Sequence, residues 1–381
     1  MTKPLARSLV VLLLAAAASA PAHAIERQTG RLAELIAQLA SRQYVLGEPS
    51  RDARPYVDPA PVLHAFRHVA AAMAWGDVAV AARKAQQFDY ELVKFTDAET
   101  KRDYYVLRED LDVVKTIRGW GSYIINPASQ VDALVEVPHP MADVHTPEIG
   151  GRVFAECQAK GFLLAGTHRD KADVPDLVDS IFHQVHAAWI GPLAQVTAWQ
   201  IHGFLSANHP FPQGTQVVAS TGDGAIAPEI ATLDATLEQR GLAAYAFNRL
   251  PAEASENREV NGDVPGLAFT SLAAAKNEQG RLSRSLGGAF VHIELEGDVR
   301  ASAASRQAVS SAIAEVIRSA AIAAKDRPAN VQLAAAQPSS DEQAPAAVPA
   351  AANTPAEKPP VRLAVYAEKQ NAAERLAPIT P

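Results

Sequence analysis

A regular alternation of short apolar segments with helical stretches runs through the chain from Trp120 onward and limits the fold classes that it can adopt. The apolar segments have the length of buried β-strands and lie at 122–125, 133–137, 162–165, 196–201, 217–219, 243–247 and 290–295. Helices are predicted near 147–159, 176–189 and 227–240, and a long one near 303–324. This order predicts an α/β fold with a mainly parallel, mixed sheet and helices on both faces.

The part of the chain before this alternation has a different pattern. Residues 27–87 show the apolar spacing of helices. Two β-prone runs at 90–95 and 104–107 follow, and the polar stretch between them predicts a hairpin. We therefore predict a helical segment with a hairpin over residues 25–117, which provides a packing surface for an α/β domain over residues 118–325.

Both ends of the chain depart from globular composition. In residues 1–24, Lys3 and Arg7 precede an apolar stretch, and Ala22-His23-Ala24 fits a small-x-small cleavage site, which together predict a secretory signal peptide. An uncleaved anchor is the alternative. Residues 326–381 are rich in Ala and Pro and predict a disordered tail that can contact the cell envelope. We expect a periplasmic or secreted protein.

Composition excludes several classes of function. The chain has 35 Lys and Arg against 42 Asp and Glu, and its basic residues form no cluster, so nucleic-acid binding is not expected. No segment after the signal offers about 18 uninterrupted apolar residues, so integral membrane association is not expected either. Cys157 is the single cysteine and is predicted to pack in a helix. Any metal site must therefore use His and carboxylate ligands.

Side chains that can bind a metal or a carboxylate follow four of the predicted strands. In chain order they are His139 and Asp143, then His168, Arg169 and Asp170, then His202, and finally Glu294 and Glu296 leading to Arg300. Loops at the carboxyl ends of parallel strands converge at one edge of a sheet. Imidazole and carboxylate are ligands of zinc, which activates water near neutral pH, and a nearby Glu can carry the proton. The pattern indicates metal-assisted hydrolysis.

Some of these residues also fit purely structural roles. His139 lies between two prolines and can simply end a strand. Thr146-Pro147-Glu148 is typical of a helix start, with Thr146 as the N-cap, so Glu148 is expected to serve the helix. His183 and His186 share a helix face, and a partly exposed helix side is favoured over a metal site there.

Strand alternation sets Glu294 apart. It places His292, Glu294 and Glu296 on one face of the strand at 290–295 and its immediate continuation. If that strand is central, a buried Glu294 is costly unless it has a partner or a catalytic task.

The order of these blocks resembles that of the bacteriophage-type poly-γ-glutamate hydrolases, relatives of the zinc carboxypeptidases. The resemblance covers about residues 118–320, and its blocks are Val137-Pro138-His139 with Asp143 and Thr146-Pro147-Glu148-Ile149-Gly150, Gly166-Thr167-His168-Arg169-Asp170, Ile201-His202-Gly203-Phe204, and Gly287-Gly288 through His292-Ile293-Glu294-Leu295-Glu296 to Val299-Arg300. It implies a zinc carboxypeptidase-like fold and cleavage of an amide or peptide bond in a small peptide or γ-glutamyl substrate.

The resemblance also implies roles for individual residues. His139, His202 and an acid in the loop after His139 would hold one zinc ion; Asp143 is the acid at that place, and Glu148 is the alternative. The family loop usually has glycines and a Glu ligand, whereas this chain has Pro140-Met141-Ala142 before Asp143.

Glu294 would be the general base and acid in this family. His168 and Arg300 would lie near the substrate, and Arg169 is a further candidate for holding a carboxylate by a forked contact. A looser resemblance to N-formylglutamate amidohydrolases leaves a small-molecule amidase as an alternative. A non-catalytic exported binding protein on the same fold is the other.

Overall fold

The computed structural model of the protein describes residues 25–45, 59–113, 118–191, 196–247, 254–262 and 271–325. The strands are β1 (Glu26–Gly30), β2 (Tyr90–Asp97), β3 (Asp103–Glu109), β4 (Ser122–Ile125), β5 (Val131–Val137), β6 (Ala159–Leu164), β7 (Thr197–Phe204), β8 (Val217–Ser220), β9 (Ala244–Ala246) and β10 (Phe290–Glu296). The predicted signal peptide and the predicted tail lie outside the described residues.

Ten α-helices accompany these strands in the described ranges. They are α1 (Leu32–Val45), α2 (Ala60–Ala74), α3 (Val78–Ala85), α4 (Thr146–Cys157), α5 (Ile181–Ile190), α6 (Pro228–Glu238), α7 (Ser255–Asn261), α8 (Glu278–Ser285), α9 (Gly297–Ala301) and α10 (Ala303–Lys325). None of these helices combines the length and the apolar character that a membrane crossing requires.

All ten strands belong to one sheet, in the order β1-β2-β3-β4-β6-β5-β7-β10-β8-β9. Strands β6, β5, β7 and β10 are adjacent and parallel, and the pairs β1 with β2 and β8 with β9 are parallel as well. The other neighbours are antiparallel. The prediction of an α/β fold with a mainly parallel, mixed sheet is confirmed.

Each face of the sheet is covered by its own set of helices and its own apolar core. Helices α1, α4, α6 and α10 contribute to the core on one face, where Cys157 is buried as predicted. Helices α2, α3 and α5 contribute to the core on the other face, and Leu282 of α8 packs against it. Helices therefore lie on both faces, as the alternation of strands and helices predicts.

The N-terminal third adds strands to this same sheet. The predicted hairpin is confirmed as β2 and β3, and β3 pairs with β4, so the sheet continues across residue 118. The helical prediction is wrong for residues 27–30, which form β1 along β2. The apolar helical spacing begins only at Leu32, because Leu32 and the buried side chains after it face the core.

The strands predicted after residue 120 are confirmed with ends that shift by a few residues. The helix predicted from 176 begins only at Ile181, because the Ser180 hydroxyl accepts the backbone N–H of His183 at 3.1 Å and caps the helix there. Residues 174–176 form a separate short 3₁₀ turn. Helices α7, α8 and α9 have no counterpart among the predicted elements.

A row of polar side chains crosses the middle of the sheet on the face covered by α5 and α8. Gln200 of β7 is paired with Glu136 of β5 on one side and with His292 of β10 on the other, and His292 is paired with Ser220 of β8. All four are buried. We call these four residues the polar row. The neighbouring side chain of Trp199 lies in the apolar core of the opposite face.

Candidate metal centre

The parallel strands β5, β7 and β10 bring the predicted ligands and the predicted base to one edge of the sheet. His202 near the end of β7 is paired with Glu294 of β10. His139 lies in the loop just beyond the end of β5. Because these three strands are neighbours and run in the same direction, residues far apart in the chain become adjacent in space.

The loop between β5 and α4 turns back on itself and brings Asp143 to His139. The backbone N–H of Asp143 donates to the His139 carbonyl at 2.9 Å, and the Thr146 hydroxyl donates to the Asp143 carbonyl at 2.7 Å. His145, and not Thr146 as predicted, is the N-cap of α4; it adopts a left-handed backbone with φ of 70°. This tight turn holds the Asp143 carboxylate beneath the imidazole.

Three ligand atoms converge at this edge of the sheet. The Nδ1 atom of His139 lies 3.2 Å from Nδ1 of His202 and 3.3 Å from Oδ2 of Asp143. The distance from Nδ1 of His202 to Oδ2 of Asp143 is 3.9 Å. The three residues are 3%, 4% and 4% exposed, so water screens them little.

Hydrogen bonds on the far side of each ring decide which nitrogen is free. Nε2 of His139 donates to the Asp173 carboxylate at 2.7 Å, and Nε2 of His202 donates to the Gln200 side-chain oxygen at 3.1 Å. Both partners are acceptors, so each Nε2 carries a proton, and each Nδ1 faces the other two ligand atoms, where its lone pair is available to a metal when no proton is bound there. Metal-binding histidines are held in this way by carboxylate or carbonyl groups.

The donor set fits a metal ion. Two imidazole nitrogens and a carboxylate oxygen face one another in the interior, which is costly unless a proton or a metal cation lies among them. A tetrahedral ion with bonds of about 2.0–2.1 Å separates neighbouring ligand atoms by about 3.3 Å, close to two of the three distances here. His139, Asp143 and His202 can therefore hold a metal ion.

Glu294 and His292 adjoin this group. Nε2 of His292 lies 3.4 Å from Oε1 of Glu294, and the rings of His202 and His292 are 4.5 Å apart between centroids. Nδ1 of His292 and Oε2 of Glu294 are buried without a hydrogen-bond partner among the described residues. Together with His202 these two residues form a second group that can hold a metal.

Burial and neighbouring charge shift the protonation of the whole cluster. Burial, reinforced by the Asp143 carboxylate, raises the pKa of Glu294 to about 8. Burial lowers the pKa of His292 to about 3 and the pKa of His202 well below its ordinary value. Burial acts against the charged form of His139 too, but hydrogen bonds to Asp143 and Asp173 outweigh it and raise the pKa of His139.

The structure distinguishes the two residues predicted as the acidic ligand, Asp143 and Glu148. Asp143 lies with the two imidazoles, and the backbone N–H of Gly203 also donates to its Oδ2 at 3.0 Å. Glu148 lies on α4 instead, where its partly exposed carboxylate pairs with Arg306 at 2.9 Å and Arg152 at 3.3 Å. The expectation that Glu148 serves the helix is consistent with this position.

Of the predicted substrate residues, Arg169 lies at the exposed side of the centre, and His168 precedes it in the same loop. The Arg169 guanidinium is 3.7 Å from Oδ1 of Asp143 and 3.8 Å from Oδ2 of Asp173, and 42% of its side chain is exposed. His168 is also part-exposed, but its Nδ1 accepts the backbone N–H of Asp170 at 3.2 Å. Arg169 therefore presents a part-exposed cation beside the centre.

Arg300 occupies a different position from the one that the resemblance implies. Its side chain is buried, and it donates to the carbonyls of Leu295 at 3.0 Å, Val144 at 3.0 Å and Phe204 at 3.3 Å. It thus joins the ends of β10 and β7 to the Asp143 loop. A Cβ atom at Gly203 would come within 2.5 Å of its Nε, which explains a glycine here. This geometry favours a supporting role over the predicted substrate contact.

The expectation that His183 and His186 line a partly exposed helix side is wrong. Both are buried, because α5 packs between α2 and the sheet. Nδ1 of His186 donates to the Glu136 carboxylate at 2.6 Å, and Nδ1 of His183 accepts from Gln279 at 3.1 Å. Neither belongs to a group that can hold a metal in the described part of the chain.

Three residues in the hydrogen-bond network behind the candidate ligands were not predicted from the sequence, namely Asp173, Gln200 and Glu136. Asp173 reaches His139 from a loop that shows no strand or helix pattern. Gln200 and Glu136 belong to confirmed strands. Gln200 is two residues before His202 on β7, so strand alternation was the signal that the two share a face, and Glu136 of β5 is paired with Gln200.

The chain matches no protein-family model and no curated protein. The geometry of the centre is therefore the basis for proposing a function.

Proposed function

We propose that the protein is an exported, zinc-dependent hydrolase that cleaves an amide or peptide bond, γ-glutamyl or related. One observation carries the proposal: the Nδ1 atoms of two histidines and the Asp143 carboxylate converge within 3.2–3.9 Å beside the buried carboxyl group of Glu294. Imidazole and carboxylate ligands without thiolate are the donor set of catalytic zinc sites.

His139, Asp143 and His202 would hold the ion. Zinc supplies, when bound, a Lewis acid for the substrate carbonyl and a lower pKa for water in the site. Asp173 and Gln200 keep the two imidazoles in the tautomer that leaves Nδ1 free.

Glu294 is the group that moves protons in this proposal. Glu294 is paired in the sheet with His202, and its Oε1 lies 3.4 Å from Nε2 of His292. Burial raises its pKa to about 8, which suits a group that gains and loses a proton near neutral pH. It takes a proton from the attacking water and delivers it to the leaving amine nitrogen. Burial keeps bulk water from competing for this proton.

Arg169 supplies the recognition of an anionic substrate. Its guanidinium lies near the carboxylates of Asp143 and Asp173, and 42% of the side chain is exposed. A carboxylate of a γ-glutamyl or peptide substrate can replace solvent at this exposed part of the guanidinium. His168 at the same loop adds a polar contact. We propose a substrate that has a free carboxylate near the scissile amide.

The test is metal analysis of the purified protein followed by trial hydrolysis. The expected result is about one zinc per chain, loss of activity on chelation and recovery on adding zinc. γ-Glutamyl oligomers, peptidoglycan stem peptides and formylglutamate serve as trial substrates and separate a peptidase from a small-molecule amidase. A metal content near zero, with no gain in thermal stability when zinc is added, would favour a non-catalytic binding protein and overturn the proposal.

A further inference from the structure

A buried hydrogen-bond network continues from His202 into the interior, away from the proposed metal. The side-chain oxygen of Gln200 accepts from Nε2 of His202 at 3.1 Å and from the Asn277 amide at 2.7 Å. The Gln200 nitrogen donates to Glu136 at 2.8 Å and to Gln279 at 3.2 Å. All four hydrogen-bonding positions of the Gln200 amide are therefore occupied.

The orientation of this amide is decided by its neighbours. The Glu136 carboxylate only accepts hydrogen bonds, so it must face the Gln200 nitrogen. The Asn277 nitrogen only donates, and the opposite end of that amide is fixed because its oxygen accepts the N–H of Gly280 at 2.8 Å as the N-cap of α8. Between these two fixed groups, Gln200 can point only its oxygen toward His202.

Glu136 is held in turn by helix α5. Its second oxygen accepts from Nδ1 of His186 at 2.6 Å, and both side chains are 0% exposed. Nε2 of His186 contacts the Ser283 hydroxyl of α8 at 3.3 Å. A carboxylate buried this deeply is costly, and apolar residues of similar size often stabilise a fold as well or better. Stability alone therefore gives no reason for this arrangement.

We propose that Gln200 is a positioning residue for the metal centre, and that Glu136 and Asn277 act through it to hold His202 in the tautomer that leaves Nδ1 free for the metal. The inference rests on the proposed function of the site as a metal centre. Nε2 of His139 is held by a charged group, the Asp173 carboxylate, whereas Nε2 of His202 is held by a neutral amide whose orientation is fixed. The two ligands are thus oriented independently.

The test reverses the direction of the network without removing its members. In the double variant Glu136→Gln with Asn277→Asp, the new amide at 136 can donate to the Gln200 oxygen and still accept from His186. The new carboxylate at 277 keeps the cap of α8 and accepts from the Gln200 nitrogen. Gln279 can follow by turning its own amide, with His183 then protonated on Nδ1. Gln200 would then present its nitrogen to His202, whose Nε2 must accept.

The readouts are the tautomer of His202 in the metal-free protein, from nitrogen shifts of ¹⁵N-labelled histidine, and the zinc affinity, from competition with a chromophoric chelator. The wild-type protein should show the Nε2–H form. The double variant should show the Nδ1–H form and bind zinc about 10–100-fold more weakly. Its melting temperature should change little, because every hydrogen bond has a replacement.

Two further variants keep the outcome interpretable. Gln200→Met has the same length without hydrogen bonds and should give a mixture of the two tautomers; it carries the test if the double variant does not fold. Gln184→Met, at a glutamine whose amide donates to the Val178 carbonyl at 2.9 Å outside the network, should change neither readout. An unchanged His202 tautomer in the double variant or in Gln200→Met would overturn the inference. Absence of zinc binding by the wild type would overturn the proposed function instead, and the tautomer would still report on Gln200.

Discussion

Nδ1 of His139 lies 3.2 Å from Nδ1 of His202 in the interior of the protein, and the opposite nitrogen of each ring already donates a hydrogen bond elsewhere. Such a contact between two lone pairs needs a shared proton or a metal ion. The Asp143 carboxylate beside it favours the metal, since it adds a third ligand and a negative charge.

Zinc should therefore stabilise the wild-type protein. At a free zinc concentration about one hundred times the dissociation constant, the free energy of unfolding should rise by about 2.7 kcal/mol. His139→Ala and His202→Ala should lose this gain, measured as the shift in melting temperature on adding zinc. His64→Ala removes an exposed histidine of α2 and should keep it. Equal shifts in all variants would place zinc binding elsewhere on the chain.

Asp173→Asn should weaken zinc binding without removing a ligand. The amide oxygen can still accept from His139, but the negative charge that makes the imidazole a better donor is lost. We expect about 10–100-fold lower affinity in chelator competition. Asp170→Asn changes an exposed carboxylate of the same loop and should leave the affinity unchanged. A loss of affinity in Asp170→Asn as large as in Asp173→Asn would mean that general loop charge, and not the His139 contact, is responsible.

Glu294→Gln should keep the metal and abolish most turnover. The amide has nearly the same shape but cannot take a proton from water, and general acid–base catalysis of this kind contributes about 10²–10⁴-fold. The measurement is kcat at saturating substrate together with the zinc content. Glu296→Gln is the control, because that carboxylate accepts the backbone N–H of Asp298 in the first turn of α9 and the backbone N–H of Ser206 after β7. Substantial activity in Glu294→Gln would exclude Glu294 as the proton carrier.

Arg300→Lys and Arg169→Lys should distinguish the arginine that supports the fold around the centre from the arginine that binds the substrate. Arg300→Lys loses the forked donation to the carbonyls of Val144 and Phe204 and should cost about 2–4 kcal/mol of unfolding free energy. Arg169→Lys is part-exposed and should keep stability while KM for an anionic substrate rises roughly tenfold, as for one charge-assisted contact of about 1.4 kcal/mol. The two measurements are chemical denaturation and steady-state kinetics, and an interchange of these results would reverse the assigned roles.

Asp234 gives a pH dependence of stability that is independent of the metal centre. Burial, with Glu238 adding to it, raises the pKa of this α6 carboxyl to about 8, and one of its oxygens has no hydrogen-bond partner among the described residues. The unfolded chain releases this proton near pH 4, whereas the folded protein keeps it up to about pH 8. The folded state therefore binds more protons in this range, and stability falls as pH rises from about 4 to 8.

Asp234→Asn should remove that dependence. The unfolding free energy at pH 8 should rise by about 4–5 kcal/mol, since each pH unit between the two pKa values contributes about 1.4 kcal/mol, with little change at pH 4. Denaturant titrations across this pH range measure the difference. Asp112→Asn, at an exposed turn, should follow the wild-type curve. A parallel slope in Asp234→Asn and wild type would assign the pH dependence to other groups.

The sequence was sufficient for the central sheet and for much of the centre because both depend on local patterns. Strand lengths and their apolar content predicted β4 to β10, and the ends of β5, β7 and β10 predicted that His139, His202 and Glu294 meet. Asp143 was predicted as the acidic ligand, with Glu148 as the alternative. The turn at His145 brings Asp143 and not Glu148 to the imidazoles, and its left-handed backbone conformation could not be predicted from the residue type.

The features of the fold and of the centre that the sequence did not predict depend on contacts between distant segments. Strand β1 is short and mostly exposed, so no apolar alternation marks it, and only its pairing with β2 makes it a strand. The burial of His186 follows from the packing of α5 under α2, which also hides the Glu136 carboxylate. The carbonyl contacts of Arg300 unite three segments that lie far apart in the chain.

The polar row across β5, β7, β10 and β8 also has a consequence for how the chain assembles. Successive side chains of a strand point to opposite faces, so sliding β7 by one residue against its neighbours would turn Gln200 into the apolar side now filled by Trp199. Glu136 would then lose one of its two hydrogen-bond donors in the buried interior, a penalty that does not arise when purely aliphatic strands slip. The side chains that lie beside the candidate metal centre thereby also disfavour misaligned sheets.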